Sequence, residues 1–146
     1  MPYEIKYCKK GFYWIGYSGT VTLELRLMAL RTVEATSKKI PIKGNIIDFR
    51  NTKLHCSFSE QFEFASRATE QPGHRGRKAA YLIDGMNSPP TEILQLAMCN
   101  RGIDTMLFTD ELQAINWLTG GCYRTCKDFK TEQCALGHIN SLKVLQ

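Results

Sequence analysis

Three short stretches of this sequence hold side chains able to do chemistry. His55-Cys56-Ser57 sets an imidazole, a thiol and a hydroxyl in consecutive positions. Nucleophilic catalysis needs the base within hydrogen-bond reach of the nucleophile, and a third group to orient it. On an extended segment consecutive side chains diverge, and the other histidines, His74 and His138, belong to other segments. No catalytic residue is assigned, and the chain is expected not to be an enzyme. Cys122-x3-Cys126-x7-Cys134-x3-His138 offers four donors of the kind that zinc holds in a tetrahedron. The x3 spacings suit one helix face better than a Cys-x2-Cys knuckle. Reduced thiols and no metal are the expectation, with a structural zinc site as the alternative. Gly73-His74-Arg75-Gly76-Arg77 lacks the spacing of a Walker or dinucleotide loop, so no cofactor is expected.

The elements that must position these residues follow from the pattern of apolar side chains. Tyr3, Ile5 and Tyr7 alternate with Glu4 and Lys6, and Phe12–Tyr17 is a second aromatic-rich run beyond Lys9-Lys10-Gly11. The pair predicts an N-terminal antiparallel hairpin. Thr20 or Thr22 caps a helix that runs to about Thr36, ahead of Pro41. The runs 46–49, 79–83 and 104–108 are short and mostly apolar, as strands covered on both faces are. Helices separate them. One starts near Ser57, with capping-box spacing to Glu60, and is expected to bury Phe58, Phe62 and Ala65. The next follows Ser88-Pro89-Pro90 and carries Ile93, Leu96, Ala97 and Met98. The last begins at Thr109-Asp110 and presents Leu112, Ile115 and Leu118. The order ββαβαβαβα predicts an α/β fold, with a mixed sheet of about five strands and parallel, right-handed βα units after the hairpin. Residues 1–118 make the domain. Thr119-Gly120-Gly121 breaks the last helix, so 119–146 reads as a tail that docks on the domain or on a neighbour.

Composition narrows the function classes. With 146 residues, 43% hydrophobic, the chain is long enough for one domain with its own core. The net charge of +5 is scattered, with its densest cluster at His74–Lys78, so no nucleic-acid partner is expected. No run approaches the ~20 apolar residues of a spanning helix, and Met1–Lys6 lacks a signal-peptide core. A reducing cytoplasm is the expected compartment, with the six cysteines as thiols.

Two surfaces are candidates for binding. Ligands of open α/β sheets favour the crevice beyond the carboxyl ends of the strands. That edge gathers Arg50, Asn51, Ser57, Asp84, Asn87 and Ser88, which suit a carboxylate, a phosphate or a partner's backbone and serve equally as loop solvation and caps. The first helix is the second candidate. Leu23, Leu27 and Leu30 form one apolar stripe, and Val21, Leu25, Met28, Ala29 and Thr32 another on the opposite side. Only one is needed for a sheet, so the second predicts a homodimer interface, a bound apolar ligand, or cover from the tail or a neighbouring helix.

Met1-Pro2-Tyr3-Glu4-Ile5, Gly19-Thr20-Val21-Thr22-Leu23, Asp48-Phe49-Arg50, Arg77-Lys78-Ala79-Ala80 and Phe108-Thr109-Asp110-Glu111 through Trp117-Leu118 resemble the SpoIIAA-like proteins, a branch of the STAS superfamily. The resemblance covers about residues 1–118. It implies a bacterial, non-enzymatic regulatory module that binds a protein partner or a small ligand. The superfamily's likeness to lipid-transfer folds implies, as an alternative, a carrier of an apolar or lipid-like molecule. One departure is plain. Anti-sigma factor antagonists carry a phosphorylatable serine in an Asp-Ser-Ser-Gly type motif, whereas Leu54–Ser59 here lacks the Asp and the Gly. Ser57 and Ser59 are explained at least as well as helix N-caps.

Overall fold

The structure, a computed structural model, describes residues 2–8, 11–37, 43–70, 77–85, 88–120 and 143–145. Strands β1 (Tyr3–Cys8) and β2 (Phe12–Tyr17) form the expected hairpin, in a register that pairs Tyr3 with Tyr17 and Cys8 with Phe12. Parallel strands β4 (Gly44–Asp48), β6 (Lys78–Leu82) and β7 (Asp104–Phe108) extend the sheet from β2. A short β8 (Lys143–Leu145) pairs antiparallel with the outer edge of β1, giving the order β7-β6-β4-β2-β1-β8. Residues 143–145 thus join the sheet. Two further strands were not anticipated: β3 (Gly19–Thr22) and β5 (Thr52–His55) make a small parallel sheet of their own.

Period-two alternation divides the main sheet into two faces. Tyr13, Ile15, Ile47, Ala79 and Tyr81 point to one side, where α1 (Leu23–Ser37), α2 (Phe58–Thr69) and α3 (Ser88–Asn100) cover them. Phe12, Ile46, Ala80 and Leu82 point to the other, where α4 (Glu111–Thr119) supplies Ala114, Ile115 and Leu118. At the start of β4 the fit to α4 is close. A Cβ on Gly44 would stand 2.5 Å from the Lys78 carbonyl oxygen of β6 and 2.6 Å from Leu118 Cδ1 of α4, so only glycine fits beside that backbone.

The helix boundaries follow local chemistry. Thr22 Oγ1 accepts the Leu25 N–H at 3.2 Å and so caps α1. Asp110 caps α4, and Gly120, in the left-handed region, ends it. The Ser57–Glu60 capping box forms in full, with Glu60 N–H on Ser57 Oγ at 3.2 Å and Ser57 N–H on Glu60 Oε1 at 2.9 Å.

Two helix faces differ from expectation. On α2 the buried residues are Gln61, Phe64, Ala65 and Ala68, whereas Phe58 is 66% and Phe62 46% exposed. The helix is rolled by roughly a quarter turn from the orientation that its phenylalanines suggest. On α1 neither leucine-bearing stripe is the centre of the buried face. Arg26, Ala29 and Val33 are buried there instead, flanked by half-buried Leu30. Val21 and Ala29, expected at an interface, lie inside the core and are not available to one. Leu25 and Thr32 are half-buried, and only Met28 of that set is exposed, at 45%.

The capping box yields a stability prediction. Ser57→Ala is expected to lower the unfolding free energy by about 1 kcal/mol in urea denaturation. Hydrogen bonding from the Ser57 amide, with a smaller contribution from its hydroxyl, holds the Glu60 carboxyl below its ordinary range. That contribution is complete above the unfolded-state pKa of about 4.3, and is lost as pH falls through the lower folded value. The stability difference between the parent and Glu60→Gln should therefore vanish on further acidification.

Candidate ligand-binding pocket

The helices α1, α2 and α3 do not close completely on the sheet. Between them and β2, β4 and β6 lies a cavity of about 70 Å³. Its walls are mostly aliphatic, from Ile15 and Ile47 on the sheet and from Leu30, Val33 and Met98 on the helices, with Phe64 and Ala68 from α2. Small side chains leave the gap, because Ala68 and Ala79 stand where larger residues would meet across the layers. Along β6 the lining residues run from Arg77, just before the strand, to Tyr81, roughly 13 Å of chain, and Tyr17, Asn45 and Lys78 line it as well.

Arg26 lines this cavity and is only 1% exposed. It belongs to the buried stripe of α1, one helical turn from Ala29 and two from Val33, so the helix that covers the sheet carries a guanidinium into the core. Phe64 lies 4.0 Å from the guanidinium carbon and Phe49 5.4 Å, each measured to the ring centroid. Nη1 donates to Gln61 Oε1 at 2.8 Å and to Cys56 Sγ, a weak acceptor, at 3.7 Å. Nη2 has no hydrogen-bond partner among the described residues, and neither has Gln61 Nε2.

No carboxylate forms an ion pair with Arg26 among the described residues. Glu34 also lines the pocket but lies eight residues along α1, about 12 Å on the helix axis. Glu60 feels the Arg26 charge, yet its carboxyl is held at the α2 cap. Two phenols stand nearby. Burial pushes the Tyr17 hydroxyl far up, against the pull of the Arg26 charge. Burial likewise raises Tyr81, partly offset by the charge and a side-chain hydrogen bond of Arg26. Tyr81 still leaves Nη2 without a partner of hydrogen-bonding geometry. Both phenols stay neutral at ordinary pH, so neither provides a counter-charge.

The polar edge picked out from the sequence is built differently. Arg50 is held at both ends. Its Nε and Nη2 donate to the two oxygens of Asp48 at 3.0 and 2.9 Å, and Nη2 reaches Glu111 Oε1 at 3.1 Å. These bonds hold the guanidinium pKa above its already high value. Asp84 accepts the Asn51 N–H at 3.0 Å, at a residue whose φ of 61° lies in the left-handed region. Ser57 is committed to the α2 cap and also lies 3.1 Å from Ser59 Oγ. Ser88 opens α3, and Asn87 lies outside the described residues. Among the described residues this edge is a tie between β4, β6 and α4, and neither Arg50 nor Asp84 lines the cavity between the helices and the sheet.

His55 is exposed on β5, and no hydrogen bond joins it to Cys56 or Ser57 among the described residues. Cys122, Cys126, Cys134 and His138 lie outside the described residues, as does His74. No cluster of metal-ligating side chains occurs among those described. Among the described residues no helix is long and apolar enough to cross a membrane.

No family model and no curated protein sequence matches the chain. Its fold is similar to that of an uncharacterized protein of the DUF3478 family with a SpoIIAA-like fold from Shewanella loihica PV-4. The alignment has a TM-score of 0.55 at 15% sequence identity and covers 80% of this chain and 91% of that one. The SpoIIAA-like α/β fold expected from the sequence is therefore the fold of this chain. A fold of this kind does not specify an activity, which has to be read from the site.

The Arg50 tie can be separated from the pocket by mutation. Arg50→Ala strands the buried Asp48 carboxylate and is expected to cost about 1–3 kcal/mol in urea denaturation. Replacing Asp48 by Asn in the same chain should recover part of that loss.

Proposed function

We propose that this protein is a non-enzymatic binding module of STAS-like fold, which takes a small ligand into the pocket between α1, α2, α3 and the sheet. The observation that carries this reading is a preformed cavity with mostly apolar walls and a few polar side chains, Arg26, Asn45, Arg77 and Lys78 among them, the usual composition of a ligand site. Its volume argues against a long lipid in this conformation. An engineered apolar cavity that binds benzene measures about 150 Å³, and this one is roughly half that. A carrier of extended lipids would need α1 or α3 to move outward, whereas a ligand of a few heavy atoms fits as the helices stand.

A second reading concerns the opposite side of the same helices. Met28 on α1 and Phe58 and Phe62 on α2 are exposed, on helices that pack against each other. Large apolar side chains on neighbouring helices favour a protein partner, and a second copy of the chain is the simplest one. Met28→Glu is expected to leave stability unchanged and to shift a dimer to monomer in sedimentation velocity. A parent that is already monomeric at high concentration would sink this reading.

The pocket is tested by filling it. Ala68 lines the cavity on α2, and Ala68→Met extends a flexible apolar chain into it. In an NMR titration with a library of small fragments, binding should perturb Val33, Ile47 and Ala79 in the parent and be weakened at least roughly tenfold in Ala68→Met. A parent that binds none of them, or a variant that binds equally well, would overturn the reading. Native mass spectrometry of freshly purified protein should also show a small bound mass that Ala68→Met lacks.

A further inference from the structure

We propose that the exposed face of α1 pairs antiparallel with the same face of a second copy, about a two-fold axis between Leu27 and Met28. The proposal rests on the reading of Met28 as part of a self-association surface, and adds the residues and the geometry that make such a contact specific.

The face is defined by what the helix buries. Arg26, Ala29 and Val33 point into the molecule, and Glu24, Met28, Arg31 and Ala35 on the other side of α1 are exposed. Glu24, Leu27, Met28 and Arg31 stand at positions i, i+3, i+4 and i+7, which places them in one stripe. With Leu23, and with Glu60 of α2, they line an open groove along the helix. The stripe thus has an acid at one end, apolar side chains in the middle and a base at the other end.

Neither of these charges is used within the chain. Among the described residues no ion pair includes Glu24 or Arg31. Seven residues apart on one helix, they stand about 10 Å from each other along its axis, too far to meet. The other carboxylate of the groove, Glu60, is held at the α2 cap.

The stripe is its own complement when reversed. Glu24 lies three residues before Leu27, and Arg31 lies three after Met28, so the pattern is symmetric about the midpoint of the apolar pair. A two-fold axis there turns the second helix around and sets Glu24 against the partner's Arg31. Such an interface repeats every contact, so two ion pairs flank a centre in which Leu27 of each copy meets the partner's Met28. A parallel pairing would put like charges together at both ends, so the charges choose the direction as well as the occupant. The contact is a single helical stripe, and the dimer is therefore weak and forms at high protein concentration.

Charge reversal tests direction and occupant together, in sedimentation velocity of the full chain at low salt up to near-millimolar concentration. Glu24→Arg and Arg31→Glu each turn both ion pairs into like-charge contacts, and each should weaken dimerisation roughly tenfold or more. The double variant Glu24→Arg/Arg31→Glu restores opposite charges across the axis and should dimerise about as tightly as the parent. An equimolar mixture of the two single variants should form a heterodimer tighter than either variant makes alone. Both side chains are exposed, so the variants keep the core intact. A salt series on the parent needs no variant, and its dimer should weaken as ionic strength rises. A parent dimer that resists salt, that the single reversals leave intact, or that the double variant fails to regain would overturn the antiparallel pairing and leave self-association standing. A parent that stays monomeric throughout would remove both.

Discussion

The packing of α1 and α2 turns on one buried cation. Arg26 reaches from α1 across the top of the sheet, lies against Phe64 of α2 and Phe49 beyond β4, and gives a hydrogen bond to Gln61. Because Gln61 must face it, α2 is turned so that Phe64, Ala65 and Ala68 point inward while Phe58 and Phe62 point out. The same contact holds α1 over β2 and β6, whose Tyr17 and Tyr81 both feel its charge. The position of two helices is thus coupled to a group that is poorly solvated and only partly satisfied.

The sheet is covered unequally, and that inequality makes room for a site. On one face α4 packs closely, and Gly44 has room for no side chain between the β6 backbone at Lys78 and Leu118 of α4. On the other face, alanines at 29, 65, 68, 79 and 97 separate the larger core residues. Alanines normally let layers approach, but Arg26 with its stacked rings stands between α1 and the end of the sheet. Arg26 and the small residues Ala68 and Ala79 line the cavity that remains. At about 24 cal/mol per Å³, a void of this volume forgoes about 2 kcal/mol of packing.

Much of this architecture was legible from residue pattern. The hairpin alternation at 3–17 and the apolar runs at 79–83 and 104–108 each became a strand with ends shifted by at most a residue or two. The Ser57–Glu60 box marked the start of α2 by a mechanism that depends on no tertiary contact. Where pattern misled, tertiary packing decided the outcome. Phe58, Phe62 and Ala65 form a valid helical stripe, but a neighbouring stripe with a glutamine at its centre is the one buried, because α1 presents a donor there. The strands β3 and β5 are four residues each and gain their ladder only from one another, which no local signal in either segment announces. In the sequence Arg26 falls on a polar flank between the leucine stripes, where an arginine in a helix is ordinarily solvated.

Arg50 and Arg26 show that location alone does not identify a ligand anchor. Arg50 lies at the sheet edge where α/β proteins commonly bind ligands, and its location drew attention to it. Yet it meets two carboxylates, so its charge is already balanced and a further anion there would face Asp48 and Glu111. Arg26 lies deeper, away from that edge, where its surroundings withhold water and no carboxylate pairs with it among the described residues. The guanidinium left partly unsatisfied in this chain is thus inside the helical layer and not at the strand ends.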